Sequence, residues 1–272
     1  MTALNTEKVR STLLGSLEKA GAILKETVAE RKVVAYKTEL SLVTETDHRS
    51  EETIVQTILS SFPDHALLTE ESPERGKSPY RWIIDPLDGT TNFAHTYPDA
   101  CVSIAFEEKG EMTFGGVFDP FRGELFYAER GQGATLNGRP LVVSSNPVLN
   151  ESLLCTGFPY DRRKNADDYL SIFKAFMMKT QGVRRSGAAA LDLAYVAAGR
   201  FDGFWELKLR SWDVAAGALL VLEAGGKLSD FSGGPLRVSD PKTDWVPQMA
   251  ASNGFLHEEM VDILKPFAAM GT

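Results

Sequence analysis

The chain has 272 residues, 43% of them hydrophobic and 24% charged, enough to bury a substantial core in one large domain or two fused subdomains, and this composition excludes a disordered chain. The formal net charge of −8 argues against a nucleic-acid partner, because sequence-independent affinity for DNA or RNA comes from clustered Lys and Arg. Short basic runs such as Arg162-Arg163-Lys164 and Arg184-Arg185 read as solvated surface.

Val9, Leu13, Leu17, Ala20, Leu24 and Val28 recur at helical spacing and predict an amphipathic helix from about Thr6 to Lys32. A second helix is expected from about Asp47 to Ser60, with Ile54, Ile58 and Leu59 inward and Pro63-Asp64 ending the segment. Ala66–Thr69 and Arg81–Asp85 read as short buried strands, each running straight into carboxylates. From Ala100 to Val143 the pattern turns to strands, Cys101–Glu108, Met112–Asp119 and Glu124–Arg130, with turns at Lys109-Gly110 and Phe121-Arg122-Gly123. Gly131-Gln132-Gly133 and Asn137-Gly138 continue this meander. The second half alternates: strand Ser152–Thr156, helix Asn165–Met178, a helix capped by Ser186 and ending at Gly199, and strand Asp202–Glu206. Helix Trp212–Ala224 closes on Gly225-Gly226, and strands Lys227–Asp230 and Gln248–Ser252 precede a last helix, Leu256–Phe267. The whole is an α+β pattern of sheets between helix layers, one domain with subdomains of approximately 1–150 and 151–272.

Cys101 and Cys155 sit in apolar runs with no partner at metal-ligand spacing and are expected to be buried free thiols. His48, His65, His95 and His257 show no ligand spacing either. The start has no signal-peptide pattern, and no run reaches the ~20 apolar residues that span a membrane. A soluble, cytoplasmic protein with no membrane partner is expected.

The segment Trp82-Ile83-Ile84-Asp85-Pro86-Leu87-Asp88-Gly89-Thr90-Thr91-Asn92-Phe93 carries most of the chemistry. An apolar strand ends in a carboxylate, a proline stiffens the exit, and a second carboxylate follows with the Leu87 carbonyl between them. Such an oxygen-rich bend suits a hard cation such as Mg²⁺, completed by water and a substrate phosphate. Gly89 permits close backbone approach, and the N–H groups of Gly89 and Thr90 are expected to face a phosphate oxygen. The spacing does not fit a calcium loop of the EF-hand type. Nor does it fit the Asp-x-Asp-Gly-Thr of haloacid-dehalogenase-type phosphatases, since two residues separate the acids here. Glu70-Glu71 follows a predicted strand as Asp85 does, so parallel neighbours would bring Glu70 and Asp85 to one sheet edge. Asp213 by itself reads as a helix N-cap.

Together these segments resemble the inositol monophosphatase family. The resemblance runs from Lys37 to about Asn253 and rests on Leu42-Val43-Thr44-Glu45-Thr46-Asp47, Glu70-Glu71-Ser72, Asp85–Phe93, Gly187–Ala189 and Trp212-Asp213-Val214-Ala215-Ala216-Gly217. Ser41 departs from the pattern, standing where many members carry an acidic residue. The resemblance implies a layered α-β-α-β-α sandwich of the sugar-phosphatase type, with mixed and antiparallel sheets, that hydrolyses a small polyol phosphomonoester. It implies two to three Mg²⁺ per subunit: one held by Glu70, Asp85 and the Leu87 carbonyl, a second by Asp85, Asp88 and Asp213, and a third near Glu70, with Lys37 by the adjoining loop. Thr90 and Asp47 would form the pair that orients or deprotonates the attacking water. Substrate contacts would come from Gly89, Thr90, Gly187, Ala188, Ala189, Glu206 and Asp213, Glu206 accepting hydrogen bonds from ring hydroxyls. A homodimer and sensitivity to lithium are further implications. myo-Inositol monophosphate is the leading substrate; histidinol phosphate, sugar phosphates or bisphosphates, and a regulatory interaction protein that keeps the fold, are the alternatives.

Overall fold

The structure is a computed structural model that describes residues 4–30, 34–37, 40–240 and 243–271. Helix α1 (Thr6–Thr27) opens where the Asn5 side chain accepts the Lys8 N–H at 3.0 Å, and it buries Val9, Leu13, Leu17, Ala20 and Leu24, the face marked by the periodicity. It ends at Thr27, whose hydroxyl meets that of Thr46 at 3.1 Å, well before Lys32, which lies outside the described residues. A hairpin absent from the sequence reading follows, β1 (Val34–Tyr36) against β2 (Leu42–Thr44). Strands of three residues are too short for alternation to register. Helix α2 (Glu45–Ser61) then starts two residues earlier than expected.

Strands β3 (Ala66–Thr69), β4 (Tyr80–Asp88), β5 (Cys101–Glu108), β6 (Glu111–Asp119), β7 (Glu124–Glu129), β8 (Gly133–Leu136) and β9 (Arg139–Pro140) form one sheet in chain order. Only β3 and β4 run parallel in it. A short helix, α3 (Thr90–Ala94), leaves the end of β4. The second sheet is mixed, in the order β11 (Gly182–Arg184), β10 (Leu153–Thr156), β12 (Gly203–Arg210), β14 (Trp245–Ser252), β13 (Lys227–Ser229). Helices α4 (Ala166–Met177), α5 (Ala189–Ala197), α6 (Ser211–Glu223) and α7 (His257–Leu264) complete the chain's regular helices among the described residues. Both β12 and β14 outrun their predicted lengths because they pair with each other almost end to end.

Three apolar clusters define the layers. Leu13, Leu17 and Ile54 of α1 and α2 pack on Trp82, Ile84 and Phe106, one face of the larger sheet. Its other face, with Ile83, Ala105 and Val117, meets Leu193, Leu219 and Leu220 of α5 and α6, which in turn rest on Cys155, Phe204 and Ala251 of the second sheet. The far side of that sheet, with Leu154, Trp205 and Ala250, is covered by Phe176 of α4 and Met260 of α7. The order is therefore α-β-α-β-α, as the resemblance implied. Successive residues of β4 serve both faces, so the strand reads as an unbroken apolar run. Gly115 and Gly116 make the central strand thin: a Cβ on the first would lie 3.1 Å from the Ala216 backbone, and one on the second 2.5 Å from Leu17. Helices can then press on β6 from both sides. Cys101 and Cys155 are free and buried, as expected.

Candidate active site

The parallel register sets Thr69 beside Ile84, so Glu70 follows the end of β3 next to Asp85, which stays in β4. Between Asp85, opposite Ser103, and Asp88, opposite Cys101, β4 bulges. The predicted strand end at Asp85 therefore moves to Asp88. Pro86 fits the bulge because it has no N–H to lose; its carbonyl accepts the Ser50 hydroxyl at 2.7 Å, and the Leu87 N–H turns back to Asp85 Oδ1 at 3.0 Å. Gly89 follows at φ 89°, and a Cβ there would stand 2.9 Å from the Asp99 carbonyl oxygen. This turn delivers Thr90.

The Thr90 hydroxyl lies 3.1 Å from Asp47 Oδ1 and 3.1 Å from the Leu87 carbonyl oxygen. Asp47 is fully buried at the start of α2, where its other oxygen accepts the Thr44 N–H at 2.8 Å and the Thr44 hydroxyl at 2.6 Å. Burial raises its pKa, and the two bonds from Thr44 oppose that rise. Asp88 accepts the Ala190 N–H at 2.7 Å, across 102 positions of chain. That bond corrects the reading of Ser186 as a helix cap. Helix α5 begins at Ala189, its N-cap Ala188 offers no side-chain acceptor, and the carboxylate comes from β4 instead. Asp213 is not the N-cap, which is Arg210; it is the third residue of α6, and its carboxylate reaches back to accept the Arg210 N–H at 2.7 Å while lining the cleft.

Glu70, Asp85, Leu87, Asp88 and Asp213 all line one cleft of about 910 Å³. Gly89, Thr90, Gly187, Ala188, Ala189, Glu206 and Lys37 line it too, whereas Asp47 sits behind Thr90. Every candidate site residue named from the sequence thus lines this cleft or touches a residue that does. Burial raises the Asp85 and Asp88 carboxyls well above the usual range, reinforced at Asp85 by Glu70, Asp88 and Asp213 and at Asp88 by Asp213. Asp213 is pushed up to about 7 by burial and then by Glu70. Lys37 bridges Glu70, at 2.8 Å, and Glu71; burial lowers its pKa, but these two carboxylates outweigh that and raise it. Among the described residues no three His, Cys, Asp or Glu side chains stand ready-clustered around an ion.

The donor set nevertheless fits a hard divalent cation. Asp85, Asp88 and Asp213 each direct one oxygen to a backbone N–H and leave the second oxygen to the cleft. Their mutual repulsion, visible in the raised pKa values, is the charge that a cation offsets.

The inositol monophosphatase family model matches residues 5–265. The chain belongs to that family. It is 48% identical over 225 residues to an inositol-1-monophosphatase of Synechocystis sp., covering 82% of this chain and 76% of the relative. It is 47% identical over 228 residues to Nus factor SuhB of Pseudomonas aeruginosa, covering 81% and 84%. The inositol monophosphatase structure from Anabaena (Nostoc) sp. PCC 7120 superposes with a TM-score of 0.85 at 40% identity, covering 97% of each chain.

Several residues of this inositol monophosphatase family site escaped the sequence reading. Buried Glu51 holds the Glu70 turn by accepting the Glu71 N–H at 2.9 Å and the Ser72 hydroxyl. Asn92 ties the carbonyls of Asp99 and Ser186 at 2.8 and 2.9 Å, fastening α3 to the Gly187 turn. Arg185 and Asp192 line the cleft next to Glu206, which burial drives well above the usual carboxyl range and Arg185 draws back. Asn92 lies within the Asp85–Phe93 segment, Glu51 and Asp192 carried no signal since their partners are remote in sequence, and Arg185, read with Arg184 as solvated surface, lines the cleft beside Glu206 instead. His95 is an exposed residue just past α3.

Proposed function

We propose that the protein is a Mg²⁺-dependent phosphatase that hydrolyses a small polyol phosphomonoester, with myo-inositol monophosphate as the leading substrate. One observation carries this reading: four carboxylates from three separate segments line a single cleft, beside a Thr90–Asp47 pair. Glu70, Asp85, the Leu87 carbonyl, Asp88 and Asp213 would hold two to three Mg²⁺, with Lys37 at the Glu70 end. Bound there, the cations neutralise the phosphate and lower the pKa of water. Thr90 donates to Asp47 and keeps lone pairs with which to accept a hydrogen bond from an attacking water, so the pair orients the nucleophile. Asp47, buried and held by Thr44, keeps Thr90 in that orientation. The N–H groups of Gly89 and Thr90 steady the phosphate. Gly187, Ala188 and Ala189 shape the wall for the leaving group, and Glu206 accepts its hydroxyls. Asp213 would hold its cation on the leaving-group side.

The site draws on both halves of the chain, which supports treating 1–272 as one functional unit; a cytoplasmic homodimer fits the family. The test is phosphate release from a panel of inositol, sugar, glycerol and histidinol phosphates, with and without Mg²⁺, with Asp88→Asn as control. Turnover that needs Mg²⁺ and is lost in the variant is expected; no metal-dependent turnover of any ester would sink the reading. The likeness to a Nus factor supports a second reading, an interaction role retained alongside the site. Association with the transcription machinery that survives Asp88→Asn would be its mark.

A further inference from the structure

The loop from Gly157 to Asn165, between β10 and α4, contributes its first residues to the lining of the cleft. Tyr160, Asp161 and Arg162 line the cleft from this side, and Ser41 and Lys37 line it from the hairpin side. Three bonds pin the loop from behind. Asp161 accepts the Tyr169 hydroxyl at 2.5 Å and the Asn165 amide at 2.8 Å, and it pairs with Lys208 of β12. Lys208 takes up an uncommon backbone conformation, φ 60°, in order to stand there. With Asp161 fixed, Tyr160 extends over the cleft. Tyr160 is exposed as a residue, while its hydroxyl is hydrogen-bonded to buried Ser41 of the hairpin side. Glu70, Asp213 and Asp88 are the charged neighbours of that hydroxyl.

We propose that Tyr160 is a substrate-positioning residue whose phenol donates a hydrogen bond to the phosphate group in the cleft, with Ser41 holding the phenol from behind. The proposal rests on the phosphomonoesterase reading above. The direction of each bond follows from the neighbours. Ionised carboxylates and phosphates only accept, so the single phenol proton points into the cleft. Ser41 must then donate to the phenol oxygen. A serine can give a proton to Tyr160, whereas a carboxylate there can only take one, and it would turn the phenol away from the phosphate.

The test compares Tyr160→Phe, Ser41→Ala and Ser41→Asp with the wild-type full chain in Mg²⁺. Two readouts are taken: binding of inorganic phosphate by calorimetry, and the separate kcat and KM for the preferred ester. Tyr160→Phe keeps the ring and is expected to weaken phosphate binding and raise KM by about tenfold, the usual worth of a bond to a charged group. The change in kcat should be smaller. Ser41→Ala should weaken binding only about threefold, Ser41→Asp about tenfold, and Ser41→Asp should add nothing in a Tyr160→Phe background. Unchanged phosphate affinity in Tyr160→Phe overturns the proposal, and so does a Ser41→Asp variant that matches Ser41→Ala. Calorimetry keeps the two readings apart: if wild type turns over no ester, the phosphatase reading fails while the phosphate titration still decides the role of Tyr160.

Discussion

Replacing Asp213 with Asn separates the charge of the site from its shape. The amide can still accept the Arg210 N–H that opens α6, so the helix keeps this capping-box bond. What disappears is a negative charge whose pKa is raised from 3.8 to about 7, first by burial and then by Glu70. A rise of that size corresponds to ~4 kcal/mol. Water in the open cleft screens roughly half of it, leaving about 2 kcal/mol. An acid whose pKa is raised on folding binds its proton more tightly in the folded state, so the cost is absent below pH 3.8 and grows with pH until it is complete above about pH 7. In chelator at pH 8 the variant should therefore melt about 4–8 °C above wild type, from about 2–4 °C per kcal/mol for a chain of this size. At pH 5 the gap should shrink to about a third. Mg²⁺ should raise the melting temperature of wild type at pH 8 more than that of the variant, and the variant should lose hydrolysis. Differential scanning fluorimetry across pH, with and without Mg²⁺, reads all of this. Equal melting of the two proteins at pH 8 in chelator would refute the reasoning, as would a gain independent of pH.

Thr90→Ala should lower kcat by about 10²–10⁴-fold while KM moves little, because it removes the hydroxyl between Asp47 and Leu87 but no contact to the leaving group; steady-state kinetics checks it. Gly187 sits at φ 103°, and a Cβ there would lie 2.7 Å from Arg185 Nη1, so Gly187→Ala should cost about 1–2 kcal/mol and raise KM for the ester, measured by denaturant melts and kinetics. His257 is buried between Ser252 and Ser229, each at 2.9 Å, and burial, then Lys227, lowers its pKa from 6.5 to about 4. The folded state thus resists the proton, and up to ~3 kcal/mol present above pH 6.5 is lost as pH falls toward 4. His257→Gln should flatten that acid limb of the melting curve. A Cβ on Gly217 would lie 2.5 Å from Leu193 Cβ, so Gly217→Ala should push α6 off α5 and cost about 2 kcal/mol, read in urea melts.

How much of this was legible beforehand depended on the range of the interaction. The α1 face, the strand running into Asp85, and the Asp-Pro-Leu-Asp-Gly-Thr bend are local facts of spacing and residue type, so the sequence by itself determined them. It also supplied the candidate carboxylates Glu70, Asp85, Asp88 and Asp213, because their segments together match one family, but not Glu51, Arg185 or Asp192. Tertiary structure decided everything that needed two segments at once. The bulge that carries β4 through Pro86 to Asp88 exists because β5 pairs on either side of it. The start of α5 could not be found at Ser186, since the acceptor for its Ala190 N–H is Asp88. Helix propensity and capping patterns act within a few residues, whereas this bond spans 102 positions. Glu51 and Tyr160 stayed silent for the same reason: a buried Glu and a loop Tyr look ordinary until the Glu70 turn and Ser41 are brought against them. The crowding that raises the carboxyls of Asp85, Asp88 and Asp213 likewise arises only when the three segments share one low-dielectric cleft.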